Sequence, residues 1–281
     1  MSQQFQMPVL QREMLKEAMF GALTDIPGAV ALYVFGSSAS GTSDTYSDID
    51  LQLHTTSLRE SLSALHRVIH RVGRVQLEWM IHSDERSWAA TLLFDAASPY
   101  HKIDLGFIEV NPGRPSEGPE QGVLVWKQEP APAFPARSSV PPYSPNSDSL
   151  DYWVIGQLLG MTRYAKARNR QQVATCWRFA SSLVNSTMTM WYMHQVSPEV
   201  PFHRPLTTHE YLALDRVLSQ DQRDRLLGSL DFSSARQMDH AVLDMTGALI
   251  DTFRSIVGRS SRSHQTVDLL HSFLLAELSH P

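Results

Sequence analysis

The 281-residue sequence predicts an α+β domain with a mixed β-sheet, followed by an all-α helical bundle. Three observations predict it. Short apolar runs with period-2 alternation fill the first 128 residues, the pattern of half-buried strands. From Ser147 onward, apolar residues recur at helical spacing over long stretches. Between the two patterns, residues 130–145 hold six prolines and no hydrophobic period, so they cannot be helix and read as a linker. The expected domains are therefore 1–129 and 147–281, joined by a proline-rich linker over 130–146.

The elements follow in order. Leu10, Met14, Ala18 and Met19 share a helical face within 9–23, and Pro27-Gly28 turns the chain into a strand over 29–35. A polar segment separates this strand from a second one that opens at Asp48. Leu58, Leu62, Leu65, Ile69 and Val72 then form the stripe of another helix. Residues 74–82 alternate so that Val75, Leu77, Trp79 and Ile81 share one face and Glu78 lies on the other. Residues 87–97 read as a short helix, and 103–110 and 122–128 as strands. The second half is expected to hold helices over 148–168, 171–195, 206–230 with a break near Ser219, 234–257 and 265–278. Thr207 with Glu210 fits a capping box and Gly258 a C-terminal stop. Five or six amphipathic helices make a bundle.

The most informative stretch is ALYVFGSSASGTSDTYSDIDLQLH, from Ala31 to His54. Glycine after a strand lets backbone N–H groups approach an anion, and Ser37 adds a hydroxyl where a helix could begin, so Gly36-Ser37 suits a triphosphate. Alternation puts Asp48, Asp50 and Gln52 on one face of the next strand, with Ile49, Leu51 and Leu53 on the other. Two hard carboxylate ligands side by side suit Mg²⁺, which takes a few carboxylates together with substrate phosphates.

Gly36-Ser37, Gly41 five residues after Gly36, and Ser47-Asp48-Ile49-Asp50-Leu51 resemble the signature of the DNA polymerase β-like nucleotidyltransferase superfamily. Many members with this loop carry a basic residue before the second glycine; here it is Ser40. The resemblance implies a third carboxylate from a later strand, and 101–108 is similar to that element with Asp104 at the matching position. It further implies two Mg²⁺ ions on Asp48, Asp50 and Asp104, an NTP as co-substrate, and nucleotide contacts from Gly36, Ser37, Ser38, Gly41 and Ser47. A catalytic domain followed by a helical bundle is similar in arrangement to the antibiotic nucleotidyltransferases that act on aminoglycosides and lincosamides. The implied reaction moves a nucleoside monophosphate to a hydroxyl of a small molecule; nucleotidyl transfer to RNA or protein, and a non-catalytic nucleotide-binding regulatory module, are the alternatives. Two residues compete as general base. Asp104 shares its face with Lys102 and Gly106, and the glycine leaves room for a ligand, while Glu78 shares its face with Gln76, Met80 and His82.

Composition narrows the partners. The net charge is −5, and all of the acidic excess lies in the first half, which argues against a large nucleic-acid surface, since that needs clustered Lys and Arg. No apolar run approaches the ~20 residues of a membrane span, and MSQQFQMPVL lacks the features of a signal peptide, so a cytoplasmic location is expected. The single cysteine, Cys176, excludes an internal disulfide and reads as core. His66 and His70 stand at metal-ligand spacing with no acidic third ligand apparent. Arg259 and His264 match the spacing of HEPN-type ribonucleases, but that segment reads as a loop. Tyr152, Trp153, Trp177, Trp191, Tyr192 and Tyr211 sit in helical stripes and read as core.

Overall fold

In the computed structural model the described residues are 9–110, 122–128, 149–199, 202, 204–229, 234–257 and 263–279. The chain divides into two compact units, Met1–Pro145 and Asn146–Pro281. The expected linker at 130–146, Gly258 and Arg259 lie outside the described residues.

The first unit runs α1 (Val9–Thr24), β1 (Ala29–Val34), α2 (Gly36–Ser40), β2 (Ile49–Thr55), α3 (Leu58–Ile69), β3 (Val75–Ser83), β4 (Ser87–Phe94), a 3-10 turn at Pro99–His101, β5 (Ile103–Glu109) and β6 (Val123–Lys127). Its six strands form one sheet in the order β3-β4-β5-β2-β1-β6. The sheet is mixed: β2 and β5 are parallel and the other pairs antiparallel. On one face Ile49, Leu51 and Leu53 join Ile103, Leu105 and Phe107 in a core with Leu65, Val68 and Ile69 of α3 and Met19 and Leu23 of α1. The opposite face carries the polar members of the same strands.

Two expectations in this unit are corrected. Residues 87–94 are strand, not helix. Their alanines favour a helical reading, but β4 lies between β3 and β5, and Trp88, Ala90, Thr91, Leu92 and Leu93 are all buried. A strand buried on both faces loses its alternation, so periodicity alone cannot tell it from a helix. The hairpin into it closes on Asp84, whose Oδ1 accepts the N–H groups of Arg86 at 2.8 Å and Ser87 at 2.7 Å. In α1 the inward stripe is Arg12, Leu15, Met19 and Leu23, while Met14 is 63% exposed. An arginine at the head of that stripe hid it.

The second unit holds α4 (Leu150–Asn169), α5 (Val173–Gln195), α6 (Thr208–Val217), α7 (Gln220–Gly228), α8 (Ala235–Val257) and α9 (Ser263–Leu278). It is all-α among the described residues, with α4 packed on α5, α8 and α9. The break near Ser219 separates α6 from α7, and Thr207 with Glu210 forms the expected capping box. Tyr164 of α4 donates to Asp239 Oδ1 of α8 at 2.7 Å, and Arg168 Nε donates to Oδ2 at 3.1 Å. Trp191, Tyr192 and Cys176 are buried as expected, whereas Trp177 is exposed. His264 lies inside α9, which corrects the loop reading of that residue. No described helix is long and apolar enough to cross a membrane.

Candidate active site

Parallel pairing of β2 with β5 builds the site. Asp50 stands opposite Asp104 in that register, and residues opposite one another project from the same face. Asp48 sits two residues before Asp50 and keeps to that face. One carboxylate oxygen from each of the three lies within 4.8 Å of the others, and all three side chains are half-buried. Sequence alternation puts Asp48 and Asp50 on one face; pairing of β2 with β5, neighbours in the sheet but not in the sequence, adds the third.

Lys102, at the entry to β5, completes the cluster. Its Nζ donates to Asp48 Oδ2 at 3.1 Å and to Asp104 Oδ2, and the side chain is 4% exposed. Burial by itself would lower the ammonium's pKa, but Asp104 and Asp48 offset that and hold it above the ordinary lysine value. On the other side, Thr91 of β4 donates its hydroxyl to Asp104 Oδ1. Thr91 carries no motif signal, because it reaches Asp104 through a strand pairing, whereas Lys102 lies on the face of Asp104 by alternation.

The loop between β1 and β2 is held from below. Arg12 of α1 is fully buried; its Nε donates to the Ser47 carbonyl at 2.9 Å, and its Nη2 to the Asp48 carbonyl at 2.7 Å and to Ser38 Oγ at 2.6 Å. His101 Nε2 donates to the Thr45 carbonyl at 2.9 Å, and Tyr46 packs edge-on against Tyr100 with centroids 5.2 Å apart. One guanidinium thus fixes both the segment after Gly36 and the backbone that carries Asp48. Sequence reasoning missed Arg12, for which the only available signal is a charged residue at helical spacing from Leu15, Met19 and Leu23.

The loop residues differ in their surroundings. Gly36 opens α2 at φ 58°, and a Cβ built there would overlap Asp50 Oδ2. This glycine therefore makes room for the carboxylate as well as for any ligand. Gly41 ends α2 in the left-handed region at φ 69°, with its N–H bonded to the Ser37 carbonyl. Ser37 and Ser38 both lie within 3.4 Å of the Ser43 hydroxyl. Ser47 is fully buried and donates its hydroxyl to Asp44 Oδ1 at 2.8 Å. That corrects its expected role: it braces the loop rather than facing a nucleotide.

Glu78 is also corrected. It stands opposite Leu92, which stands opposite Ile103, so it belongs to the helix-covered face. Its Oε2 lies 3.7 Å from Nδ1 of His66 on α3. An acidic neighbour of His66 therefore exists after all, while Glu78 and the three aspartates are on opposite sides of the sheet.

No protein-family model and no curated protein matches the sequence. Among solved structures, the crystal structure of an aminoglycoside 6-adenyltransferase from Bacillus subtilis matches over 93% of this chain and 97% of that one, at 11% sequence identity and a TM-score of 0.31. At those values the chemistry rests on the site's own atoms.

Beside the carboxylates a cavity of 380 Å³ runs along the sheet face, floored by Gly106 and Ala89 and bordered by Gln52 and Ile81. Gln52 Nε2 lies 2.9 Å from His54 Nε2, and burial pushes the His54 imidazole below its ordinary pKa. Three carboxylates against one ammonium leave the cluster formally anionic, and hard oxygen donors this close fit a divalent cation. The arrangement can bind a cation and, through it, a phosphate.

Proposed function

We propose that the chain is a magnesium-dependent nucleotidyltransferase that moves a nucleoside monophosphate from an NTP to a hydroxyl of a small molecule. One observation carries this reading: Asp50 and Asp104 in register on adjacent parallel strands, with Asp48 beside them and the Gly36 turn against Asp50. The resemblance of the loop and the Asp-x-Asp strand to the polymerase β-like superfamily supports it.

Asp48, Asp50 and Asp104 would hold the magnesium, which supplies Lewis-acid charge at the phosphates when bound. The first backbone N–H groups of α2 and the Ser37 hydroxyl are offered to the outer phosphates. Gly106 and Ala89 leave space for the acceptor next to Asp104. The acceptor oxygen bonds to the α-phosphorus, the bridge to the β-phosphate breaks, and pyrophosphate leaves with the electron pair. The hydroxyl proton passes to Asp104, since Glu78 faces the other side of the sheet.

Incubation with labelled NTPs, Mg²⁺ and a panel of aminoglycosides, lincosamides and tRNA tests the reading. Label on a small hydroxyl acceptor is expected; label on tRNA alone, or none at all, overturns it. For the base, Asp104→Asn is expected to flatten the acidic limb of the pH–rate profile and Glu78→Gln to keep it. The opposite pattern would move the proton acceptor away from the cluster.

A further inference from the structure

The two-ion expectation treats the three aspartates as an open anionic set. The structure gives that set an ammonium of its own. Lys102 Nζ contacts Asp48 and Asp104 together, and at 4% exposure it is not a surface group that happens to lie near. Asp50 Oδ2 points to the space left by Gly36. The cluster is therefore asymmetric, with cationic charge already installed between Asp48 and Asp104 and the Asp50 side turned toward the turn.

We propose that Lys102 occupies one of the two cation places in this cluster, so that the protein binds a single divalent ion, on the Asp50 side, rather than a pair. The inference rests on the metal-dependent reading above and sharpens it. Charge balance supports it: three carboxylates less one ammonium match one divalent ion, whereas a second divalent ion would meet the repulsion of a buried ammonium. In the reaction, Lys102 then supplies fixed positive charge beside the Asp48–Asp104 pair, which neither dissociates nor depends on metal concentration.

Counting Mn²⁺ bound by the full-length protein, from the loss of the free-ion electron paramagnetic resonance signal and without nucleotide, tests this apart from activity. One ion per chain is expected for the wild type and for Lys102→Arg, which keeps the charge. Lys102→Met is expected to take two, and Asp50→Asn to weaken the single ion at least tenfold. Two ions in the wild type, or one in both the wild type and a folded Lys102→Met, overturn the inference while leaving the metal reading intact. Binding of no ion by any of these proteins overturns both. Should Lys102→Met fail to fold by circular dichroism, Lys102→Gln takes its place with the same expected count of two, and a count of one in folded Lys102→Gln overturns the inference.

Discussion

Each unit contains a buried or half-buried charged cluster, and the two are built on opposite principles. In the helical unit Asp239 meets Arg168 and the Tyr164 hydroxyl, so one carboxylate faces one guanidinium and both of its oxygens are engaged. In the sheet unit three aspartates converge on one ammonium. The first cluster is balanced and ties α4 to α8. The second sets three carboxylates against one buried ammonium, an imbalance that costs stability and that a bound cation would offset. Charge imbalance, rather than burial, separates the candidate site from the structural cluster.

The largest expected effect tests that contrast directly. Asp48→Asn or Asp50→Asn is expected to lower transfer at least about a thousandfold, the several kcal/mol of charge stabilisation a metal ligand supports. Asp50→Asn also removes like-charge repulsion, so its Tm should equal or exceed that of the wild type. Asp239→Ala should behave in reverse, losing about 3 kcal/mol of stability in denaturant titration by leaving Arg168 and Tyr164 without their acceptor. A destabilised Asp50→Asn, or an Asp239→Ala as stable as the wild type, would erase the distinction between the clusters.

Arg12→Met comes next, because it removes a buried guanidinium that belongs to structure yet serves the site. Orphaning the Ser47 and Asp48 carbonyls should cost about 2–4 kcal/mol, and the rate of the remaining folded protein should fall as Asp48 loses its backbone tether. Normal kinetics in a destabilised Arg12→Met would make this arginine purely structural.

Thr91→Val probes the outer edge of the anionic cluster. Loss of one hydrogen bond to Asp104 is expected to change the rate by about tenfold, the value of a bond to a charged group, with little change in Tm. A change larger than that of Asp50→Asn would show that Asp104 depends more on its neighbours than on metal.

The smallest effect concerns pH. Burial lowers the pKa of His54 in the sheet unit, and burial, followed by Arg254, lowers that of His271 in the helical unit. A histidine with a depressed folded pKa binds fewer protons folded than unfolded, so its contribution is complete above the unfolded value near 6.5 and is lost as pH falls toward the folded value. Stability should therefore decline on acidification below about pH 6.5, and His54→Gln should remove part of that decline while leaving the His271 part. A stability profile unaffected by His54→Gln would show that the ring titrates alike in both states.

Sequence alone determined whatever depends on local period. The helices of the second half, the capping box at Thr207 and the break at Ser219 were readable because amphipathic spacing and caps lie within one turn of each other. Period 2 likewise placed Asp48 and Asp50 on one face of their strand, and the glycine after β1 marked the turn beside them. Strand order and register, which are long-range properties, decided the rest. They made residues 87–94 a central strand despite their alanines, set Asp104 opposite Asp50, and turned Glu78 toward His66. They also brought Thr91 to Asp104 and Lys102 to Asp48, while α1 supplies Arg12 to the Asp48 backbone. A residue's own alternation states that it has two faces; only its pairing partners state which of them meets the ligand, because the face is defined by the sheet and not by the strand.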